Sequence, residues 1–94
     1  MSVTVLLSEA AKATLRQIHP NERPAIDRAI SVLEDHPLAY QTAGIRGKPN
    51  IRRAVAGNYL MFYSYFAEQN SIIVYFVRHG RQRPLGPSRF PPAS

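Results

Sequence analysis

A chain of 94 residues has room for one domain, which excludes a catalytic domain standing beside a separate regulatory one. An apolar fraction of 45% suffices for a packed core and excludes wholesale disorder, and the lack of cysteine excludes disulfide staples, thiol nucleophiles and thiolate metal sites. Twelve Lys and Arg against six Asp and Glu give a net charge of +6. The excess is confined to one half. Residues 1–44 carry four cations against five acids, whereas residues 45–94 carry eight cations against Glu68 alone. Seven of those eight are Arg, the side chain suited to bidentate recognition of phosphate or carboxylate, so the second half is expected to face something anionic.

Val3, Val5 and Leu7 alternate along a β-branched stretch that predicts a short first strand, ended by Ser8. Ser8 is a good N-cap, Glu9 suits the positive end of a helix dipole, and Ala11, Leu15 and Ile18 fall at helical spacing. A helix over 8–18, stopped before Pro20, is predicted. Asn21 is placed to cap a second helix with Pro24 in its first turn and Ile26, Ala29, Ile30 and Leu33 as its apolar stripe, closed by His36-Pro37. The short connection predicts an antiparallel helical hairpin. Residues 38–50, with Gly44, Gly47 and Pro49, read as a loop.

The period then changes. Segments 51–56, 59–66 and 71–79 are strand-like, and Gly57-Asn58 and Glu68-Gln69-Asn70 between them are turn signals, which together predict an antiparallel meander. The fold class is therefore α+β, an antiparallel sheet packed on an N-terminal helical hairpin in the order β-α-α-β-β-β. Seven of the nine aromatics lie between Tyr59 and Phe76, and the middle strand is apolar on both faces. Two helices cover one face of a sheet, so part of the other face is expected to remain open for a partner. A single domain over 1–83 is expected to be followed by an irregular, Pro-rich tail over 84–94. The apolar runs are too short to cross a bilayer and the N-terminus lacks the basic start of a secretory signal, which predicts a soluble, cytoplasmic protein.

Candidate binding residues are the cations Lys48, Arg52, Arg53, Arg78, Arg81 and Arg83, together with His79, whose ordinary pKa of about 6.5 suits an acid or a base. His19 and His36 each precede Pro at a helix end and read as structural. The three His have no metal-ligand spacing, so neither a metal site nor a cofactor is predicted.

Ile51-Arg52-Arg53 leads into Ala56-Gly57-Asn58-Tyr59-Leu60-Met61-Phe62-Tyr63 and then into Ile73-Val74-Tyr75-Phe76-Val77-Arg78-His79-Gly80-Arg81. In this order and spacing the segments resemble the RelE/ParE superfamily of bacterial toxins over residues 3–84, and His79-Gly80-Arg81 resembles its ParE branch. The resemblance implies the toxin half of a type II toxin–antitoxin pair, a plasmid-stabilising inhibitor of DNA gyrase that arrests growth. It also implies silencing by a cognate antitoxin, in a hetero-oligomer, through an acidic or amphipathic segment set against Arg52, Arg53, Arg78 and Arg81. One alternative is a RelE-like, ribosome-dependent mRNA interferase, a metal-independent endoribonuclease with Arg53, His79 and Arg81 as its catalytic candidates. A non-toxic interaction module of the same fold is another. Against the nuclease stand Leu60, where RelE-like nucleases carry Arg, and the lack of any Tyr after Tyr75, since Phe90 has no hydroxyl.

Overall fold

The computed structural model describes residues 2–91. Ser8 divides the first strand, β1 (Thr4–Leu7), from the first helix, α1 (Glu9–Gln17). Its Oγ accepts the Ala11 N–H at 3.0 Å, filling one of the donors a helix start leaves without a partner, and its hydroxyl donates to Tyr75 O on a distant strand. The second helix, α2 (Arg23–Asp35), starts differently from expectation: its N-cap is Glu22, which makes no side-chain capping bond. Pro24 in the first turn lacks an N–H, so one fewer donor needs a cap. Asn21 sits instead in the turn between the helices, where its backbone N–H donates to His19 Nδ1 at 3.1 Å.

The meander forms as predicted from β2 (Arg52–Ala56), β3 (Tyr59–Phe66) and β4 (Ser71–His79). Gly57 and Asn58 close the β2–β3 hairpin between the paired residues Ala56 and Tyr59. Positive φ at Gly57 alone, +63°, is the signature of a type II′ turn, whose twist matches that of the strands. At the other end a single 3-10 turn, Ala67–Gln69, is ended by Asn70 in the left-handed region. Asn70 then holds the N-terminus as well, since its carbonyl accepts the Thr4 N–H and its side chain donates to Ser2 O. The first strand joins the sheet parallel to β4, giving the order β1-β4-β3-β2. Residues 41–43 lie along the outer edge of β2 through the Thr42–Arg52 bridge, so part of the predicted loop shields that edge.

Both helices lie on one face of the sheet, and their principal contacts are with strands rather than with each other: α1 rests on β4, whereas α2 reaches from β2 to β1. Between helices and sheet Ile26, Leu33, Met61, Tyr63, Ile72 and Val74 are wholly buried. Burying each such aliphatic side chain contributes roughly 1.5–3 kcal/mol, which makes this layer the main source of stability. The Tyr63 hydroxyl donates to Pro37 O at 3.1 Å, and Ser64 Oγ donates to Asn50 O at 3.0 Å, so the polar atoms carried inward are satisfied.

The opposite face is open only in part: its centre carries a second apolar cluster of Ile51, Phe62 and Phe90, joined by Leu60, Tyr75, Phe76 and Leu85. The C-terminal segment supplies the cover. It makes a 3-10 turn at Pro87–Arg89 and inserts Phe90, 4% exposed, with ring centroids 5.5, 5.7 and 6.1 Å from Phe76, Phe62 and Tyr75. The segment is irregular in backbone but not detached. A register shift between Phe62 and Tyr63 opposite Tyr75 brings the aromatics of β4 against this anchor.

Candidate anion-binding cleft

Strand alternation decides which cations share a face. Arg53 pairs with Phe62 and Phe76 across the sheet, and Val55 with Leu60 and Arg78, so Arg53 and Arg78 stand on the face away from the helices. A cleft of about 400 Å³ opens there. Leu60 and Phe62 lie in its floor, the glycine-rich loop before β2 brings Arg46, and the segment after β4 brings Arg83, Pro84 and Leu85. Four arginines from four separate stretches thus converge, and no Asp or Glu is among the lining residues. Among the described residues the two ion pairs, Lys12–Glu9 and Arg23–Asp27, lie on the helices. Among the described residues the cations of the second half have no carboxylate partner, which leaves the exposed arginines of the cleft available to an external anion.

The predicted binding residues divide on this geometry. Arg53, Arg78 and Arg83 meet in the cleft. Arg52, one residue before Arg53, points to the helix side in register with Tyr63, and its Nη1 donates to Tyr40 O at 2.6 Å. Lys48 donates from Nζ to Pro91 O at 3.0 Å and serves the C-terminal segment. Arg81 is exposed and lies outside the cleft lining. His79 reaches the rim, but it pairs with Tyr59 on the helix side, the rings 5.3 Å apart and edge to face. Its Nδ1 accepts the Arg81 N–H at 3.1 Å, and its own backbone N–H donates to Gln82 Oε1 at 3.0 Å. The imidazole is held in a turn, away from the arginines. The turn is tied to the β2–β3 hairpin through Gly80, whose N–H donates to Asn58 O at 2.8 Å.

Arg46 was missed as a site residue. The only signal for it was its position between Gly44 and Gly47, both with positive φ, which fold the loop back over the sheet. Two tyrosines have displaced pKa values. Burial pushes the Tyr63 phenol up from 10.0, against a smaller opposing pull from Arg52; burial also raises Tyr59, and the neighbouring Glu22 carboxylate adds to it. Neither tyrosine lines the cleft. Apart from arginine, His79 is the one titratable side chain among the lining residues. The arrangement can hold an anion over an apolar floor, but it offers no carboxyl or phenol to move a proton.

The family model described as the ParE toxin of the type II toxin–antitoxin system parDE matches residues 5–84. No curated protein matches the chain. Among solved structures, the RelBE2 toxin–antitoxin complex of Mycobacterium tuberculosis is similar at a TM-score of 0.73 and 21% identity, covering 84% of this chain and 99% of that one. The isolated RelE toxin of E. coli gives a TM-score of 0.72 at 16% identity, over 87% and 88% of the two chains. The archaeal RelE–RelB complex of Pyrococcus horikoshii gives 0.67 at 17% identity, over 87% and 100%. These likenesses show a shared fold of two helices on a four-stranded sheet.

Proposed function

This chain belongs to the ParE toxin family of type II toxin–antitoxin systems, and from that premise we propose that it arrests growth by binding DNA gyrase and blocking it after DNA cleavage. The observation that carries the choice over a nuclease is the chemistry of the cleft: four arginines gather over Leu60 and Phe62, and among the described residues no carboxyl or phenol lines it for general acid–base work. Cleaving RNA through its 2′-hydroxyl needs a base, an acid and cationic stabilisation of the phosphate. Cations are plentiful here, whereas the one imidazole is turned toward Tyr59. Such a surface supports binding without cutting.

The cognate antitoxin is an acidic, amphipathic protein in this reading, placing carboxylates on Arg53 and Arg78 and apolar side chains on the floor between them. The solved complexes of similar fold in which a RelE chain is bound by its RelB partner support a protein partner. So does the lack of any internal carboxylate among the cleft residues.

The test is DNA supercoiling by purified gyrase with the toxin added after separation from its antitoxin. Loss of supercoiling with accumulation of cleaved DNA is expected. Untouched gyrase together with cleavage of ribosome-bound mRNA would overturn the proposal in favour of an interferase, and the absence of both effects would favour a non-toxic module.

A further inference from the structure

The cleft is built from more than the sheet. After β4 the chain reverses through a turn in which the Gln82 N–H donates to His79 O at 3.0 Å, and it then runs back across the sheet as the cleft's outer wall. Arg78 Nη2 donates to Arg83 O at 3.1 Å, so one cleft arginine is oriented by the backbone of that wall. From residue 81 to 91 the chain is exposed apart from half-buried Leu85 and the buried Phe90. Phe90 is thus the main apolar anchor of the segment. Two cations assist without a carboxylate: Arg89 lies 5.4 Å from the Phe76 ring centroid, and Lys48 holds Pro91 O.

We propose that Phe90 is a positioning residue for the arginine cleft: by docking between Phe62, Tyr75 and Phe76 it fixes the strap of residues 82–91, and the strap sets the place of Arg83 and the orientation of Arg78. Anion binding and strap docking are then coupled, each favouring the other, because the anion meets a wall already in place. A site that depends on a segment with one buried anchor is adjustable in a way that a site made only of strands is not. The ligand chemistry, an acidic segment with interleaved apolar residues, rests on the antitoxin reading given above. The strap itself does not.

The experiment uses the full chain and its Phe90→Ala and Phe90→Leu variants. Two readouts are taken: the NMR signal of the Arg78 Nε–H with backbone relaxation over residues 83–91, and binding of a fluorescein-labelled peptide of five alternating Glu-Leu pairs. In Phe90→Ala the segment is expected to become mobile on the nanosecond scale, the Arg78 signal to move to that of a free guanidinium, and peptide binding to fall at least tenfold. In Phe90→Leu, which refills part of the space and retains the fold, most of the binding is expected to return. An ordered strap with an unchanged Arg78 signal in Phe90→Ala overturns the proposal, as does undiminished binding to a mobile strap. If the wild-type chain does not bind the peptide, the acidic-segment reading falls, and the NMR comparison alone decides the strap. Should Phe90→Ala not fold, the same two readouts on Phe90→Leu and on Lys48→Met, which removes the hold on Pro91, are expected to show partial loosening; no change in either overturns the proposal.

Discussion

Arg52 and Arg53 follow one another in β2, and the two-residue period of the strand sends them to opposite faces: one donates to Tyr40 O beside the helices, the other opens onto the cleft. Both were legible as cations placed to meet an anion; their separation was not, because it depends on which face the helices cover. Reversal of charge at Arg53 (Arg53→Glu) is expected to weaken binding of the acidic partner about tenfold, or about 1.4 kcal/mol, and to flatten its salt dependence. Stability should change by less than about 0.5 kcal/mol, since the side chain is exposed and has no ion-pair partner. Isothermal titration at two salt concentrations, with urea melts, checks both statements. Tyr63 gives a prediction in pH. Its folded pKa is raised above 10.0 by burial, so the folded chain holds the phenolic proton more tightly than the unfolded one. Stability from this source is complete below pH 10 and is lost as pH rises through the raised value. Tyr63→Phe, though destabilised overall by losing the bond to Pro37 O, is expected to show a shallower decline above pH 10 in denaturant melts.

At the scale of elements, helices and strands were legible almost to the residue wherever a local device fixed an end. Ser8 announced itself as a cap, and Gly57-Asn58 as a hairpin turn. The parallel pairing of β1 with β4 was not legible, because no turn joins them and the choice of neighbour is made by the shared apolar layer. Ser8→Ala removes both the helix cap and the bond to Tyr75 O, so a loss of about 1–2 kcal/mol in chemical denaturation is expected. Gly57→Ala meets two obstacles at once. The new Cβ would sit 3.2 Å from Ala25 Cβ on α2, and φ of +63° is costly for an L side chain. A loss of about 1–2 kcal/mol is expected, with the hairpin amides exchanging faster than those of the β3–β4 ladder.

For the molecule as a whole, composition foretold a basic half facing an anion and a sheet with two apolar faces. What they did not show is the cover over the centre of the second face. Four prolines made the end of the chain read as an irregular tail, although one Phe among them was enough to tie it down. A local scan undervalues Phe90, since nothing in its own neighbourhood repeats with a period. Its worth lies in Phe62 and Phe76, which are distant in sequence. A chain ending at Arg83 is therefore expected to keep its helix–sheet layer yet expose those rings, and sedimentation should show stronger concentration-dependent self-association than for the full chain.

The placing of β1 beside β4 has a consequence in time. Thr4 finds its register partner only at Ser71, and Ser8 its hydroxyl's acceptor only at Tyr75, so β1 waits for β4, which is synthesised well after it. Until then α1 lacks the strand on which it chiefly rests, and Ile72, Val74 and Val77 are missing from the main apolar layer. A nascent chain on the ribosome cannot assemble the domain piece by piece, because its decisive contacts are long-range. The arginine cleft, whose floor and walls hang on β3 and β4, is therefore completed only after β4 has joined the sheet, so the binding surface is among the last features of the fold to form.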